Sequence, residues 1–388
     1  MRILIVHQYF KTPEEGFGIR TYHIARALLA AGYEVCVVAG HNERNGKETV
    51  DGIPIQYFQI PYHNKFGILD RLKAFWSFVN QVKKYLKSDH EFDLAYVLTT
   101  PLTTGFIALF AKKRYSIPYA FEVGDLWPEV PIQLGIVKNG WLKSWLYSFE
   151  KRIYQNAQFL IALSPEIKTG MEYVIDFKKK ALVAPNMSDC AFFKPTLFGD
   201  VSFNTDLPFQ ISYFGTAGYA NHLEYLLDVA AFCEKQSAPI QFNIMADGSE
   251  LAFIDRYSAK LTNINIVKPG GLASVKELLL RTQAVYISYL NVPILSTGSP
   301  NKLFDGLAAG KLIIINFEGW INELITKHEC GFSHAPDDPE QLLERVIPFI
   351  QSPMMLEVYQ ENARKLAEHE FDKGIVTQRI IEHITDKS

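Results

Sequence analysis

The sequence predicts an α/β protein made of two doubly wound parallel sheets that face a cleft. Three observations carry this expectation. Short aliphatic runs alternate with longer stretches of helical period, the alternation weakens once near the middle of the chain, and a second set of runs then begins. Strands covered by helices on both faces read as unbroken aliphatic runs rather than as alternating ones, so the sheets are expected to be parallel.

In the first half the runs are ILIVHQYF, YEVCVVAG, LAYVLTT, IPYAFEV and FLIALS, and TYHIARALLAAG supplies the first helix. Gly32 is placed to stop that helix, and Gly40 to close the strand that follows. From about Ala184 to Pro208 the stretch APNMSDCAFFKPTLFGDVSFNTDLP holds three prolines and no sustained period, which marks a linker. FQISYFG, IQFNIMAD, INIVKP, AVYISYL and KLIIIN then repeat the architecture. The expected domains are 1–190 and 191–369, with a last helical segment, 370–388, crossing back onto the first. No short sequence repeat joins the halves. Ligands of open α/β sheets bind outside the carboxyl ends of the strands, so the loops after strands are where chemistry is sought.

Composition narrows the classes of function. The chain has 388 residues, more than one hydrophobic core usually serves, which favours two domains. With 48% hydrophobic residues, 21% charged residues and a formal charge of -3, nucleic acid is not an expected partner. Cys36, Cys190, Cys233 and Cys330 have no paired spacing, which fits a reducing, cytoplasmic setting. MRILIVHQYF is too brief for a signal peptide, and no run approaches the ~18 apolar residues of a membrane span.

Several post-strand loops concentrate chemistry. In STGSPNKLFDG, Ser299 suits an N-cap and Pro300 the first helical position, so the helix opens its free N–H groups toward the cleft. With Asn301 and Lys302 beside it, this helix N-terminus reads either as a site for phosphate or as an ordinary well-capped helix. Asp305, one turn further on, lies on the same side and is able to accept two hydroxyl groups. The loop YFGTAGYANH brings Gly215, Thr216 and Gly218 after the first strand of the second half, where bare backbone approaches an anion closely. ADGSE with Gly248 and KPGGL with Gly270 and Gly271 are similar loops.

In the first half, KTPEEGFGIRTYHIARAL sets Gly16 and Gly18 just before a helix and Arg20 in its first turn. A cation there opposes the helix dipole unless an anion is close, so Arg20 reads either as a ligand residue or as half of a salt bridge. EVGDLWPEV groups Glu122, Asp125 and Glu129 around Trp127 and Pro128. These acids either serve a reacting hydroxyl, with Asp125 orienting it or taking its proton, or cap a helix and pair with basic side chains. His7, His23, His41, His63 and His222 lack metal-ligand spacing, so no metal is expected. The segment from Lys65 to Lys87 has Leu69, Leu72, Phe75, Trp76, Val79 and Val82 at helical spacing with a basic remainder. With WLKSWLYSFEKRIY at 141–154 it forms either a plain core helix pair or a basic-aromatic surface for peripheral membrane contact.

In this order and spacing, HQYF, GFGIRTYHIARALLAAGYEV, EVGDLWPEVPIQLG, YFGTAG, ADGSE and SPNKLFDGLAAGK resemble the glycosyltransferase family 4 enzymes of GT-B fold. The resemblance runs over nearly the whole chain and is nearest to the bacterial polysaccharide branch that includes L-fucosamine transferases. It implies two Rossmann-like domains and a retaining, metal-independent transfer of a sugar from a nucleotide-diphosphate sugar to a hydroxyl of a glycan acceptor. It further implies a lipid-linked acceptor, a role in O-antigen or capsule synthesis, and a cytoplasmic place at the inner face of the membrane. Catalysis falls to Asp125, Glu129 and Lys302. Donor binding falls to Gly16, Gly18, Arg20, Gly215, Thr216, Gly248, Gly270, Ser299, Asn301 and Asp305, and acceptor binding to Glu122 and Trp127. No cofactor beyond the nucleotide-sugar co-substrate is expected. The chain departs from the family in three places: Asp305 and Thr297 stand where two Glu residues are usual, Thr216 and Tyr219 or Asn221 replace Arg and Lys, and Gly124 replaces His. A sugar-nucleotide epimerase and a non-catalytic sugar-nucleotide or glycan-binding protein are the alternative functions.

Overall fold

The computed structural model describes residues 1–16, 19–63, 66–175, 181–195 and 207–386. Two sheets organise the chain. The first contains β1 (Arg2–Val6), β2 (Glu34–His41), β3 (Gly46–Val50), β4 (Ile53–Gln59), β5 (Leu94–Leu98), β6 (Tyr119–Val123), β7 (Phe159–Ala162) and β8 (Leu182–Val183), in the order β3-β4-β2-β1-β5-β6-β7-β8. The second contains β9 (Phe209–Thr216), β10 (Ile240–Asp247), β11 (Ile264–Ile266), β12 (Ala284–Ile287), β13 (Leu312–Ile315) and β14 (Gly331–Ser333), in the order β11-β10-β9-β12-β13-β14. Neighbouring strands pair parallel throughout, except β3 with β4.

Aliphatic strands bury both faces, as a period of two requires. Ile3 and Ile5 of β1 enter one core while Leu4 and Val6 enter the core on the other side. In the second sheet Ile313 and Ile315 of β13 face one core, and Leu312 and Ile314 the other. The β3–β4 hairpin, like the short strands β8 and β14, is passed over by a search for aliphatic runs. Its turn is Asp51-Gly52, with φ of 50° and 80°, the left-handed pair that a two-residue hairpin needs. Lys47, Glu48 and Thr49 are exposed on β3, which fits an edge strand protected by polar side chains. The helix Arg20–Ala30 ends before Gly32, whose φ is 84°. Gly40 does not close β2, which runs on to His41; a Cβ at Gly40 would lie 3.1 Å from the Gln8 carbonyl, so the glycine makes room for the loop after β1.

The chain passes between the sheets twice, and the two passages run side by side. The Ser188 N–H donates to the Phe371 carbonyl at 2.8 Å, and the Lys373 N–H donates to the Ser188 carbonyl at 2.9 Å. The helix Lys373–Thr385 then lies on the first sheet, where Val376, Ile380 and Ile384 share a core with Ile3 and Ile5. Ile380→Ala is expected to lower the stability of the first domain by about 2–5 kcal/mol in denaturant unfolding, from the lost burial and the cavity left behind.

Candidate active site in the cleft

Each sheet has one place where strand order reverses. In the first it lies between β1 and β5, in the second between β9 and β12. Crevices form at such points because the flanking loops leave in opposite directions. Both open onto one cavity of about 470 Å³. His7 and Tyr9 after β1, Thr99 and Thr100 after β5, and Gly124 and Asp125 after β6 form one wall. Ala220 and Asn221 after β9, Tyr289 after β12, and Gly298, Ser299 and Asn301 form the other.

The helix Asn301–Ala308 begins one residue later than its sequence predicts. Pro300, extended at φ -72° and ψ 131°, occupies the capping position, and no side chain caps the first turn. Ser299 is therefore too early to be the N-cap. Its Oγ accepts from the Asn186 N–H at 3.1 Å, and the Asn186 amide donates to the Ser299 carbonyl at 2.5 Å. These bonds hold the helix entrance against the passage leaving the first domain. Asn301 reaches the cavity wall.

Lys302 lies under the carboxyl end of β9, which runs on through Gly215 and Thr216, so these two belong to the strand and not to the loop their sequence suggests. The Lys302 Nζ is 3.9 Å from the centroid of the Tyr213 ring, and a Cβ at Gly215 would meet its Cε and Nζ at 3.4 and 3.5 Å. Gly215, at φ 127°, is in a conformation that a side chain rarely adopts. No carboxylate pairs with Lys302 among the described residues, and desolvation pushes its ammonium down to about 7. Asp305, one turn on, is pushed up to about 8, by desolvation first and then by the charge of Asp189. Asp189 itself is held by Lys373 at 2.6 Å, so that cation is already engaged. A lysine and an aspartate, each lacking a counter-ion and each shifted toward its neutral form, stand on one short helix beside a cavity. Such a pair is costly to keep, and although neither side chain lines the cavity itself, Asn301 of the same helix does.

On the first wall, Arg20 and Glu122 find each other. Arg20 Nε donates to Glu122 Oε1 and Nη2 to Oε2, both at 2.9 Å, with both residues buried. The guanidinium also donates to the Ala184 carbonyl at 2.9 Å and the Pro185 carbonyl at 2.5 Å, and the Tyr96 hydroxyl donates to Glu122. The salt-bridge reading of Arg20 is the one the geometry fits. Although both residues line the cavity, their hydrogen-bonding capacity is largely spent on each other.

Asp125 is on the cavity wall, its carboxyl held above the ordinary range by desolvation and partly restored by a hydrogen bond from the Thr100 hydroxyl. Burial and the Asp125 charge push the Tyr289 phenol up, which brings these two side chains of opposite walls together. Glu129 is placed differently from Asp125. Its carboxylate accepts from Gln133 at 2.8 Å and from the Tyr147 hydroxyl, and neither it nor Trp127 is among the residues lining the cavity. Trp127 packs onto the core of the first domain.

The remaining glycines divide by role. Gly248, at φ 155°, has no space for a side chain, since a Cβ would come within 2.2 Å of the Ala217 carbonyl. It shapes the loop after β9 from behind. Thr216 is exposed, and its carbonyl accepts from the Tyr213 hydroxyl at 2.6 Å. A Cβ at Gly270 would strike Ser274, and one at Gly271 would sit 3.4 Å from the Glu14 carbonyl, so this loop meets the first domain near Gly16. Gly18 lies outside the described residues.

His7 is the cavity residue that motif reading passes over. Its Nδ1 is 2.8 Å from the Thr21 hydroxyl, and desolvation lowers the imidazole to about 4 despite the Glu122 charge, so the ring is neutral at ordinary pH. A lone histidine at the end of a buried strand carries no sequence signal; only the strand order places it at a switch point.

Comparisons with known proteins agree with this architecture. Residues 15–186 match the model of a glycosyl transferase 4-like domain. Over the whole chain the fold is GT-B, two Rossmann-like domains facing a cleft. Sucrose-phosphate synthase from Thermosynechococcus elongatus has the same fold at a TM-score of 0.79 and 15% identity, over 98% of this chain and 97% of that one. Anabaena HepE, solved in complex with UDP and glucose, has a TM-score of 0.72 and 18% identity, over 99% of each chain. A putative UDP-N-acetylglucosamine 2-epimerase from Listeria monocytogenes has a TM-score of 0.64 and 12% identity, over 100% of this chain and 97% of that one. No curated protein matches the sequence.

The Asp305 carboxyl gives a stability test. Its folded value of about 8 exceeds the ordinary 3.8, so between these limits the folded state keeps a proton that the unfolded state has lost. Stability tied to this group is present below pH 4 and is lost as pH rises through 8. Asp305→Asn is therefore expected to raise the melting temperature at pH 8 by about 2 °C or more, with the gain shrinking by pH 5.

Proposed function

We propose that this protein is a retaining, metal-independent glycosyltransferase. It moves a hexosyl or related sugar from a nucleotide-diphosphate sugar held by the second domain to a hydroxyl of a glycan held by the first. The observation that carries this reading is the single cavity at both switch points, with the uncompensated Lys302 beside one wall and Asp125 on the other. The solved HepE complexes with UDP and with UDP-glucose support a nucleotide-sugar donor, and the domain match over 15–186 supports transfer. The sequence resemblance supports an L-fucosamine transferase-like enzyme acting on a lipid-linked glycan in bacterial surface polysaccharide synthesis.

In this reading the diphosphate rests against the Gly215 backbone and the uncapped first turn at Asn301, with Lys302 supplying the compensating charge. Asp305 accepts the ribose hydroxyls. As the sugar–phosphate bond breaks, negative charge grows on the departing oxygen, where Lys302 stabilises it, and that oxygen takes the proton of the incoming hydroxyl on the same face. Asp125, with its raised affinity for a proton, orients that hydroxyl. Arg20 and Glu122 hold the wall in place, and Glu129 braces the helix beneath it.

The epimerase likeness favours one alternative, release of the nucleotide from its sugar with no acceptor present. Turnover of a nucleotide sugar in the absence of any acceptor would decide for it. For the transferase, Asp125→Asn is expected to lower kcat by about 10²-fold or more while nucleoside diphosphate affinity stays unchanged. Unaltered kcat would remove Asp125 from the reaction.

Lys302 predicts a pH dependence of its own. With the free ammonium at about 7, a bound diphosphate restores the charged form, so binding takes up a proton above neutrality. In the Asp305→Asn background, where that carboxyl no longer titrates, calorimetry is expected to show nucleoside diphosphate affinity falling several-fold from pH 7 to pH 9. Adding Lys302→Met should flatten the profile, and a flat profile with Lys302 intact would sink the assignment.

A further inference from the structure

The helix Ile68–Ser88 is apolar on two sides. Ala74, Phe78, Val79, Val82 and Leu86 fill the core, as an amphipathic helix requires, yet Leu69, Leu72 and Trp76 point outward, Leu69 at 73% exposure. The helix Gly140–Asn156 repeats this feature: Trp141 is 77% exposed, and Trp145 is exposed one turn on. The two outer faces meet across Phe106 of the helix Gly105–Tyr115, whose ring is 5.0 Å from Trp76 and 6.3 Å from Trp145. Singly exposed apolar residues need no explanation, but a continuous aromatic surface built by three helices does.

The surface is also strongly basic. Beside Phe106 and Phe110 runs a groove of about 770 Å³ lined by Lys83, Lys112, Lys113 and Arg152. Lys83 stands 5.6 Å from the centroids of both Phe rings. The three helices carry only two acids, Asp70, which pairs with Lys73, and Glu150, which is buried and pushed up to about 8. This local excess of cations stands on a chain whose formal net charge is -3.

We infer that the outer face of helices Ile68–Ser88, Gly105–Tyr115 and Gly140–Asn156 docks on the surface of an anionic phospholipid bilayer. Tryptophan and leucine side chains enter the headgroup boundary while lysine and arginine meet the phosphates, a division of labour that suits a membrane interface. A second copy of the chain is the poorer occupant, because an isologous contact would press like charges together. The surface also leads to the cavity. Tyr9 on the cavity wall packs on Tyr62 at 4.8 Å, and Tyr62 stacks on Phe75 at 6.1 Å, next to the exposed Trp76. On the other side Leu134 lines the cavity and is followed by exposed Ile136 and Trp141. A glycan whose lipid anchor stays in the bilayer thus has a short aromatic route to the site. Docking itself does not depend on the transfer chemistry and is measured with no donor present.

The test is co-sedimentation of the full chain with vesicles of equimolar phosphatidylcholine and phosphatidylglycerol, against vesicles of phosphatidylcholine alone. Binding to the anionic vesicles, weakened by salt and by the neutral lipid, is expected. Lys112→Ala with Lys113→Ala should weaken it by roughly fivefold per cation. Trp141→Ser with Leu69→Ser should abolish it while leaving the melting temperature and nucleoside diphosphate binding unchanged, since both side chains are exposed. Failure of the intact protein to bind anionic vesicles, or equal binding by the variants, overturns the inference. Concentration-dependent dimers in light scattering that vanish in the Trp141→Ser, Leu69→Ser variant, with no vesicle binding, would assign the face to self-association and overturn it as well.

Discussion

The geometry of the cleft depends on the buried Arg20–Glu122 pair. Charges taken out of water are expensive, and the cost is offset only when every donor and acceptor has a partner. Here Glu122 lies next to the last residue of β6, Tyr96 is in the middle of β5, and Arg20 opens the first helix, so one ion pair with its tyrosine ties two strands of the first sheet to the helix that follows β1. The same guanidinium holds the carbonyls of Ala184 and Pro185, where the chain leaves the first domain. The next residue, Asn186, bonds to Ser299 at the entrance of the Asn301 helix. A line of hydrogen bonds therefore runs from the switch point of one sheet to the helix Asn301–Ala308 beside the other.

Lys302 and Asp305 stand in contrast to this pair. Arg20 and Glu122 show how this fold treats charges that it needs for shape: paired, bidentate and largely bonded. Lys302 has an aromatic face and a glycine backbone for neighbours, and Asp305 has another acid. A fold selected for stability alone would replace both with apolar side chains. Their persistence on a helix whose first residue, Asn301, lines the cavity is the physical reason for reading them as ligand residues.

The architecture was legible in the sequence because buried parallel strands leave unbroken aliphatic runs, and ten of them could be read directly. The β3–β4 hairpin was not, since its strands are polar or mixed and its signal is the two-residue turn Asp51-Gly52. Site legibility followed distance along the chain. Local features such as Lys302 and Asp305 on one helix face, or the glycine loop after β9, come from short-range geometry. The Arg20–Glu122 pair spans 102 residues, and no local pattern tells a ligand-binding arginine from a paired one. Ser299 misled for a related reason: a serine before a proline is a strong capping signal, yet its hydroxyl was claimed by Asn186 from the other domain. Trp76 and Leu69 match the helical period as well as Val79 and Val82 do, so periodicity could not separate the core side from the outer side.

Thr297 bears on how the sugar itself is recognised. The family resemblance places a carboxylate at this position, but the Thr297 hydroxyl donates to the Ile294 carbonyl within its own turn, and its carbonyl accepts from Ser164 of the first domain. It is a joint between domains rather than a sugar ligand. The acids on the cavity wall among the described residues are Glu122, already bonded to Arg20, and Asp125, both on the wall formed by the first domain. In the transferase reading proposed above, the groups left to meet a donor sugar are neutral, among them the amides of Asn221 and Asn301, the Tyr289 hydroxyl and the uncharged His7 ring. Amides and hydroxyls both donate and accept, so such a wall reads the orientation of hydroxyl and amide substituents without requiring a fixed charge. In the proposed transferase reading, a donor amino sugar whose nitrogen is acylated, and so uncharged, fits this wall better than one bearing a free ammonium group, which would find no free carboxylate there.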